Sequence, residues 1–307
     1  MVQERLIQTV VSILITAGFD VSERCTLRPR SFDLLASNVK QLVIIKVVSQ
    51  IDSVSEAVAA DLDMMAHHLK AVPLIIGERA RDAPLERSAV YLRYGLFAVA
   101  PSTLYDYLVE KVPPLVYASP GGLYVSIDST RLREMRELHN LSLGDLAHIL
   151  GVSRRTISKY ESGMGTTLEM ALKLEELFDE AIVQPIDLFI DRPHDLTHIE
   201  EVDEISPISP AGYLKEIGLE LHSFRRAPFQ AVALFETTKI LACFGSAEKT
   251  VKRAALVGNL SQIAQTRSLC ILSDYKKERK IGKTLVIGEE QLYSMEQGSD
   301  LIDLIPE

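Results

Sequence analysis

The chain of 307 residues contains little cysteine and no long uncharged apolar run. Its three cysteines, Cys25, Cys243 and Cys270, are far apart in the sequence and match no zinc-binding spacing, which favours a reducing compartment such as the cytoplasm. No stretch approaches the roughly 18 apolar residues of a transmembrane helix, so we expect no contact with a membrane. The first residues include Glu4 and Arg5 but no small-residue cleavage site, and they predict an amphipathic helix instead of a signal peptide.

Two patterns typical of enzymes are also absent. The sequence contains neither a glycine-rich phosphate-binding loop nor a nucleophile triad, so we expect no nucleotide cofactor and no covalent catalysis. With 47% apolar and 24% charged residues, the composition is that of an ordinary globular protein. The length is sufficient for two or three domains.

Apolar residues at three- and four-residue intervals are most regular between residues 131 and 178, where they predict a series of amphipathic helices. Ser142 precedes the second apolar run and can cap the free N–H groups of a helix. Gly151 ends that run, since glycine adopts a left-handed backbone without a Cβ clash. Ser153 then begins another helix after a short turn. A helix, a short glycine turn and a second helix form the helix-turn-helix arrangement.

The second helix of this pair, at about residues 153–161, has one apolar and one polar face. Its apolar residues, Ile157 and Tyr160, are expected to face the core. Arginine can bond a guanine edge through two hydrogen bonds, serine and threonine can reach a base or a phosphate, and a helix N-terminus attracts phosphate. The outward side chains predicted to bind DNA are Arg154, Arg155, Thr156, Ser158 and Lys159. Among these and the two capping serines, we assign phosphate contacts to Ser142, Ser153 and Lys159 and base contacts to Arg154, Arg155 and Ser158.

The whole segment resembles the λ-repressor/Cro type of helix-turn-helix domain. The resemblance implies sequence-specific binding of double-stranded DNA. The matching motifs are Leu-Ser at 141–142, Asp-Leu-Ala at 145–147, Leu-Gly-Val-Ser at 150–153, Thr-Ile-Ser at 156–158, Tyr-Glu at 160–161, Gly163 and Thr-Leu at 167–168, followed by a helix at 171–178. Leu143 stands where many relatives have a polar residue that orients the base-reading helix, so we expect fewer base contacts or more readout of DNA shape. The alternatives are a helical hairpin of similar pattern and a domain that keeps this fold for protein contact.

The net charge of −9 does not suit a uniformly basic DNA-binding surface, so the local distribution of charge matters more than the sum. Between residues 131 and 161, six basic residues exceed four acidic residues by two. The basic residues are Arg131, Arg133, Arg136, Arg154, Arg155 and Lys159, and the acidic ones are Glu134, Glu137, Asp145 and Glu161. This small excess predicts weak nonspecific affinity, which a homodimer would strengthen by doubling the contacts.

The N-terminal part of the chain predicts the order α-β-β-β-α-β-β-α, and hence a sheet with helices on its faces. This order, with Asp33 on the first strand of a hairpin and Lys46 on the next, resembles the restriction-endonuclease-like fold. Nuclease members hold a divalent metal with one acid and an acid-x-lysine motif, but Ile44 here replaces the second acid and cannot bind a metal. A migrated acid, Glu56 or Asp61, is the alternative that would restore a site. We prefer structural roles, in which Asp33 hydrogen-bonds a turn and Lys46 extends from a sheet edge.

Proline-containing stretches flank the helix-turn-helix region. Residues 111–120 are expected to interrupt the regular secondary structure before the helix-turn-helix region, because a proline pair stops a helix. Residues 182–190 are predicted to form a fifth helix, and residues 191–210 an acidic, proline-containing linker. His194 and His198 stand four apart in this linker, where we expect exposed side chains and no metal site.

From residue 211 the sequence repeats the pattern of its beginning, with a helix, a strand pair, a helix and further strands. In this second copy Gln230 stands near the place of Asp33, and Phe244 near that of Lys46. The nuclease-type residues are therefore missing, and the pattern predicts a degenerate repeat. Two copies without catalytic residues favour a scaffold over an enzyme.

The sequence thus predicts α/β (α+β) domains on either side of a central all-α, five-helix λ-repressor-like domain. The predicted boundaries are 1–119, 120–190, 191–210 for the linker and 211–307. The arrangement as a whole resembles a group of archaeal transcriptional regulators, which implies a cytoplasmic DNA-binding protein that is not an enzyme. Two alternatives are a metal-dependent nuclease or junction resolvase guided by the helix-turn-helix, and a DNA-bound scaffold that recruits a protein partner through its flanking domains.

Overall fold

The computed structural model describes residues 2–81, 83–119, 121–190, 209–273, 275 and 278–306, with the backbone alone at residues 2 and 247–252. The chain forms two compact units. The first contains Met1–Ile76, Arg93–Leu96 and Asp191–Glu307, and the second contains Gly77–Leu92 and Phe97–Ile190. The predicted linker, with its acidic cluster and its two histidines, lies almost entirely outside the described residues. Within the described ranges, no helix is long and apolar enough to cross a membrane.

The secondary-structure elements are numbered here in chain order. The helices are α1 (Val2–Thr16), α2 (Glu56–Leu69), α3 (Pro101–Leu108), α4 (Ser129–Leu138), α5 (Leu143–Leu150), α6 (Arg154–Tyr160), α7 (Leu168–Phe178), α8 (Pro210–Glu216), α9 (Ala247–Ala264), α10 (Glu289–Leu292) and α11 (Gly298–Leu304). The strands are β1 (Asp20–Val21), β2 (Leu34–Ser37), β3 (Leu42–Gln50), β4 (Val72–Ala80), β5 (Ala83–Pro84), β6 (Ala89–Arg93), β7 (Leu96–Val99), β8 (Val116–Ser119), β9 (Gly122–Ile127), β10 (Thr166–Thr167), β11 (Val183–Gln184), β12 (Glu220–Ser223), β13 (Ala231–Phe235), β14 (Thr238–Ser246), β15 (Arg267–Ser273), β16 (Arg279–Ile281) and β17 (Thr284–Gly288). The mixed α/β class predicted from the sequence is confirmed at this level.

The first unit begins with a helix whose buried face follows the apolar spacing of the sequence. Leu6, Val10 and Leu14 of α1 are buried, and Gly18 beyond its end adopts φ = 82°. Strands β1, β2 and β3 pair in antiparallel fashion. The helix and the strand pair therefore form where the sequence pattern predicts them.

The C-terminal part of the same unit forms a sheet of six strands in the order β12-β13-β14-β15-β17-β16. Strands β14, β15 and β17 run parallel, and the other neighbours are antiparallel. Helix α9 lies against β14 and β15, and apolar side chains such as Ile240, Leu269 and Leu301 fill the core. Cys243 and Cys270 lie opposite each other on β14 and β15, where a disulfide joins them. No sequence pattern indicates this contact, because the two cysteines are 27 residues apart.

Corresponding main-chain hydrogen bonds relate the two parts of the first unit. The Asp33 N–H donates to the Ile45 carbonyl at 2.8 Å, and the Gln230 N–H donates to the Ala242 carbonyl at 2.9 Å. Each of these residues directly precedes a strand that pairs in antiparallel fashion with the next strand. Gln230 thus makes the same main-chain contact beside its strand pair as Asp33 makes beside its own.

Side-chain hydrogen bonds fix the register of the repeat. The Asp33 carboxylate accepts a hydrogen bond from the Val47 N–H at 2.9 Å, and the Gln230 side-chain oxygen accepts one from the Phe244 N–H at 3.1 Å. Phe244 therefore corresponds to Val47, one residue beyond the place of Lys46 near which the sequence pattern put it. The residue at the place of Lys46 is Cys243. A shift of one residue matters because successive strand side chains point to opposite faces.

The two copies contact each other through equivalent residues. The rings of Phe32 and Phe229, which precede Asp33 and Gln230, have centroids 6.4 Å apart. The Ser31 N–H donates to the Arg226 carbonyl at 2.8 Å, and the Arg226 guanidinium lies 2.9 Å from the Asp61 carboxylate. The N-terminal and C-terminal parts of the first unit therefore pack directly against each other.

The second unit combines strands with helices α4 to α7. Strands β8 and β9 are antiparallel, and β9 also pairs with β10 and β11. Strand β6 runs parallel to β8. The helices share one core with β9, in which Val125, Leu146, Ile157 and Leu174 are buried. The helices thus pack on a small sheet instead of forming a bundle alone.

The central region is therefore not an all-α, five-helix domain, since its described residues contain four helices together with strands. The fifth helix predicted at residues 182–190 was wrong, because β11 forms there instead. A Glu175 carboxylate oxygen accepts hydrogen bonds from the N–H groups of Ile182 at 2.9 Å and Val183 at 3.1 Å. Pro185 follows, and it has no N–H to continue a helix.

Candidate functional site

Local hydrogen bonds fix both ends of α5. The Ser142 hydroxyl accepts from the Asp145 N–H at 3.1 Å, and the Asp145 carboxylate accepts from the Ser142 N–H at 2.9 Å, which forms a capping box. Hydrogen bonding to the side chain and backbone of Ser142 lowers the pKa of Asp145 below its ordinary value. At the other end Gly151 adopts φ = 68°, a left-handed conformation that side chains disfavour. Sequence-local capping therefore sets the turn that leads into α6.

Helix α6 buries one face and exposes the other. The Ser153 hydroxyl caps it by accepting from the Thr156 N–H at 3.1 Å, and it lies 2.8 Å from the Thr156 hydroxyl. Ile157 and Tyr160 are buried, and Thr156 is half-buried. The exposed residues of α6 are Arg154, Arg155, Ser158 and Lys159. The side chains with base-reading chemistry thus share one solvent-facing surface.

The arginines of α4 are engaged within the second unit. Arg136 donates to a Glu161 carboxylate oxygen at 2.5 Å and to the Leu141 carbonyl at 2.8 Å. Hydrogen bonding to Glu161 raises the pKa of Arg136 above its ordinary value, so this guanidinium stays charged. Arg133 lies 3.5 Å from the same Glu161, and Arg131 pairs with acids at positions 134 and 180. All three arginine side chains of α4 are thus paired with acids of the second unit.

The cations of α6 have no such partners. The side chains of Arg154, Arg155 and Lys159 form neither a hydrogen bond nor an ion pair with any residue that the structure describes. Residues 131–161 have two more basic than acidic residues, but the basic side chains of α4 are paired with acids, whereas those of α6 are not. We call the exposed Arg154, Arg155, Ser158 and Lys159 together the α6 surface.

Glu161 is a residue whose importance sequence reasoning missed. Its side chain is 6% exposed and lies between Arg133 and Arg136. In the sequence it was only part of a Tyr-Glu motif. The available signal was an acid directly after α6 together with three arginines in helix α4. No local spacing indicates their contact, since Arg136 and Glu161 are 25 positions apart.

Asp33, the nuclease-type position, is fully buried. One carboxylate oxygen accepts a hydrogen bond from Arg30 Nε at 2.8 Å. The other accepts from the Val47 N–H at 2.9 Å and lies 3.5 Å from Lys46 Nζ. Burial lowers the pKa of Lys46, while the neighbouring Asp33 acts in the opposite direction. Groups of the protein thus already bind both carboxylate oxygens.

The residues around Asp33 do not fit a metal centre. A divalent metal needs several oxygen ligands, but Ile44 is buried on β3 and offers none. The alternative acid Asp61 accepts hydrogen bonds from the Ser31 hydroxyl and the Arg226 guanidinium, both at 2.9 Å, and Glu56 is exposed in the first turn of α2. In the described part of the chain, no group of three or more His, Cys, Asp or Glu residues could hold a metal ion.

Two family models match this chain. A PD-(D/E)XK superfamily domain matches residues 3–114, and a helix-turn-helix domain matches residues 132–183. The second match contains α5, α6 and the α6 surface. Both resemblances stated from the sequence, to the nuclease-like fold and to the helix-turn-helix, are confirmed. No solved structure matches the chain.

Relatives from several archaea match the chain over almost its full length. One from Methanocorpusculum labreanum is 60% identical over 100% of this chain and 99% of its own. One from Methanoculleus marisnigri is 58% identical over 100% of both chains, and one from Archaeoglobus fulgidus is 39% identical over 98% of this chain and 97% of its own. Each bears the name "Putative HTH-type transcriptional regulatory protein". The chain belongs to this archaeal family of HTH-type transcriptional regulatory proteins.

Proposed function

We propose that the protein is a sequence-specific DNA-binding transcriptional regulator that places α6 in the major groove of double-stranded DNA. The observation that carries this proposal is the contrast between α6 and α4. The arginines of α4 are bound by acids, whereas the three cations of α6 have no partner among the described residues. Unpaired guanidinium groups on an exposed helix suit guanine edges and phosphates.

The roles within the α6 surface follow from chemistry and position. Arg154, Arg155 and Ser158 are proposed to contact bases, and Lys159 to contact phosphate. Ser153 and Thr156 lie at the helix N-terminus, where either hydroxyl of the pair can be the donor in their mutual hydrogen bond. One of them can therefore donate its hydrogen to a phosphate oxygen. Ser142 is proposed to contact phosphate at the start of α5.

Capture of genomic DNA fragments by the purified protein tests this proposal. We expect the wild-type protein to recover fragments that share one motif, and the R154A/R155A variant to lose that motif. Each bidentate contact is worth about 1–3 kcal/mol, so the double variant should bind its site at least about tenfold more weakly. The matched control is R131A, because Arg131 is exposed but paired with Glu134 and Glu180. Equal recovery of the motif by wild type and the double variant would exclude α6 as the base-reading helix.

We further propose that the protein binds DNA as a homodimer. A dimer would double the few available contacts and would read two half-sites about 34–36 Å apart, one turn of the double helix. Light scattering should give the mass of two chains on a duplex that carries both half-sites. A single chain on that duplex, and in free solution at the same concentration, would contradict the dimer.

We propose that the first unit is a scaffold for a protein partner and not an active nuclease. The support is the Asp33 site, where Arg30, Lys46 and Val47 already bind the carboxylate. Incubation with plasmid, nicked and branched DNA in Mg²⁺ or Mn²⁺ should give no more cleavage with wild type than with D33A. Metal-dependent cleavage by wild type that D33A lacks would instead establish the nuclease or resolvase alternative.

A further inference from the structure

A cavity of about 790 Å³ lies in the first unit, beside the C-terminal end of α9. Its walls include Lys239 on β14, Thr266 and Arg267 where β15 begins, and Lys283 in the turn between β16 and β17. Leu69, the last residue of α2, closes another side. The volume lies within the range of pockets that hold small molecules.

Positive charge dominates this cavity. Lys239, Arg267 and Lys283 line it, and no aspartate or glutamate stands among the described lining residues. Burial lowers the pKa of Lys239, and the charge of nearby Lys70 lowers it further. Lys239 has no ion-pair partner in the described ranges. Lys239 and Lys70 therefore carry like charges close together, and Lys239 is partly buried. This arrangement is unfavourable unless an anion balances the charge, even though the chain as a whole has a net charge of −9.

We propose that this cavity binds a small molecule with an oxyanion group, a phosphate or a carboxylate, through Lys239. Arg267 and Lys283 contribute positive charge to the same site. Arg267 is held in place by a hydrogen bond to the Ile302 carbonyl at 2.5 Å. This site is separate from the α6 surface, and its test requires no DNA.

A competing explanation is that Lys239 is stabilised by the C-terminal end of α9. Helix C-termini carry partial negative charge that attracts cations. The two explanations differ for K239Q in buffer without phosphate or carboxylate. Loss of a helix-end contact lowers the melting temperature, whereas relief of repulsion with Lys70 leaves the melting temperature unchanged or raises it.

Equilibrium dialysis of the full-length protein against labelled orthophosphate, and separately against labelled acetate, tests the proposal at constant ionic strength. Wild type should bind one anion per chain with a dissociation constant below about 1 mM, and K239Q should bind it at least tenfold more weakly. The tighter of the two probes identifies phosphate or carboxylate as the preferred group. The matched control is K215Q, which removes an exposed lysine of α8 in the same unit and should bind as wild type does.

Two results would overturn the proposal. One is the absence of saturable binding of either probe to wild type. The other is equal affinity in wild type and K239Q when the melting temperature shows that K239Q is folded. A fall in the melting temperature of K239Q without any anion binding by wild type would establish the helix-end explanation instead.

Discussion

Glu161 is a single carboxylate that holds two arginines of α4 against the end of α6. We expect E161Q to lower the free energy of unfolding by about 1–3 kcal/mol, because the nearly buried Arg136 loses its main counter-charge while the shape is kept. Urea denaturation followed by circular dichroism measures this loss.

The matched control for this prediction changes another carboxylate beside the same guanidinium. Glu137 lies 3.4 Å from Arg136, but its side chain is 63% exposed. We expect E137Q to cost less than about 0.5 kcal/mol, since solvent screens exposed ion pairs. Similar losses in the two variants would mean that burial of Glu161 does not strengthen its interaction with Arg136.

Asp33 offers a second prediction at the residue scale. We expect D33N to lower the free energy of unfolding by about 3–5 kcal/mol, because Arg30 and Lys46 would remain mostly buried without a carboxylate. Denaturation of D33N beside D20N, a control at an exposed position of β1, measures the effect. Wild-type stability in D33N would show that the carboxylate contributes nothing to the fold.

At the scale of the element, two glycines of the α5 region give predictions of opposite sign. Gly151 ends α5 with φ = 68°, so we expect G151A to destabilise the protein by about 1–2 kcal/mol. Gly144 lies inside α5, where an added Cβ would meet only the Ser142 hydroxyl at 3.5 Å, an ordinary contact. We therefore expect G144A to stabilise by roughly 0.5 kcal/mol. Thermal melting of the two variants measures both, and equal signs would contradict the assigned backbone conformations.

How far the sequence predicts an element depends on how local its cause is. The caps of α5 and α6 lie within three or four residues of the groups they satisfy, so Ser142, Gly151 and Ser153 could be identified directly. Strand β11 forms because β9 offers an edge more than 50 residues earlier in the chain, and no pattern near residue 183 shows that edge. Apolar residues there suit a helix and a strand equally well.

The same reasoning applies to the candidate sites. The outward face of α6 follows from helical periodicity, and the sequence predicts its members. Which charges are available does not follow, since Arg133, Arg136 and Glu161 meet only in the folded chain. The cavity beside α9 joins residues from distant elements, including Lys239 and Lys283, and no local sequence pattern indicates it.

At the scale of the whole molecule, the contact between Phe32 and Phe229 joins the N-terminal and C-terminal parts of the first unit. Both rings are fully buried. We expect a double-mutant cycle with F32L and F229L to give a coupling energy of about 0.5–1.5 kcal/mol, as for other packed aromatic pairs. Urea denaturation of the four proteins supplies the measurement. Additive losses would mean that the two rings contribute no interaction energy across this contact.

The contact between these two parts lies within a single chain, and this affects how substitutions alter each part. When two identical chains assemble, each substitution appears on both sides of their interface at once. Here both sides are encoded in one chain, so a substitution alters one side and leaves the other as it was. The present residues already differ in this way, with Asp33 and Lys46 on one side and Gln230 and Cys243 in the equivalent places on the other. The two parts can therefore differ in what stabilises them: one contains an ion cluster and the other contains a disulfide.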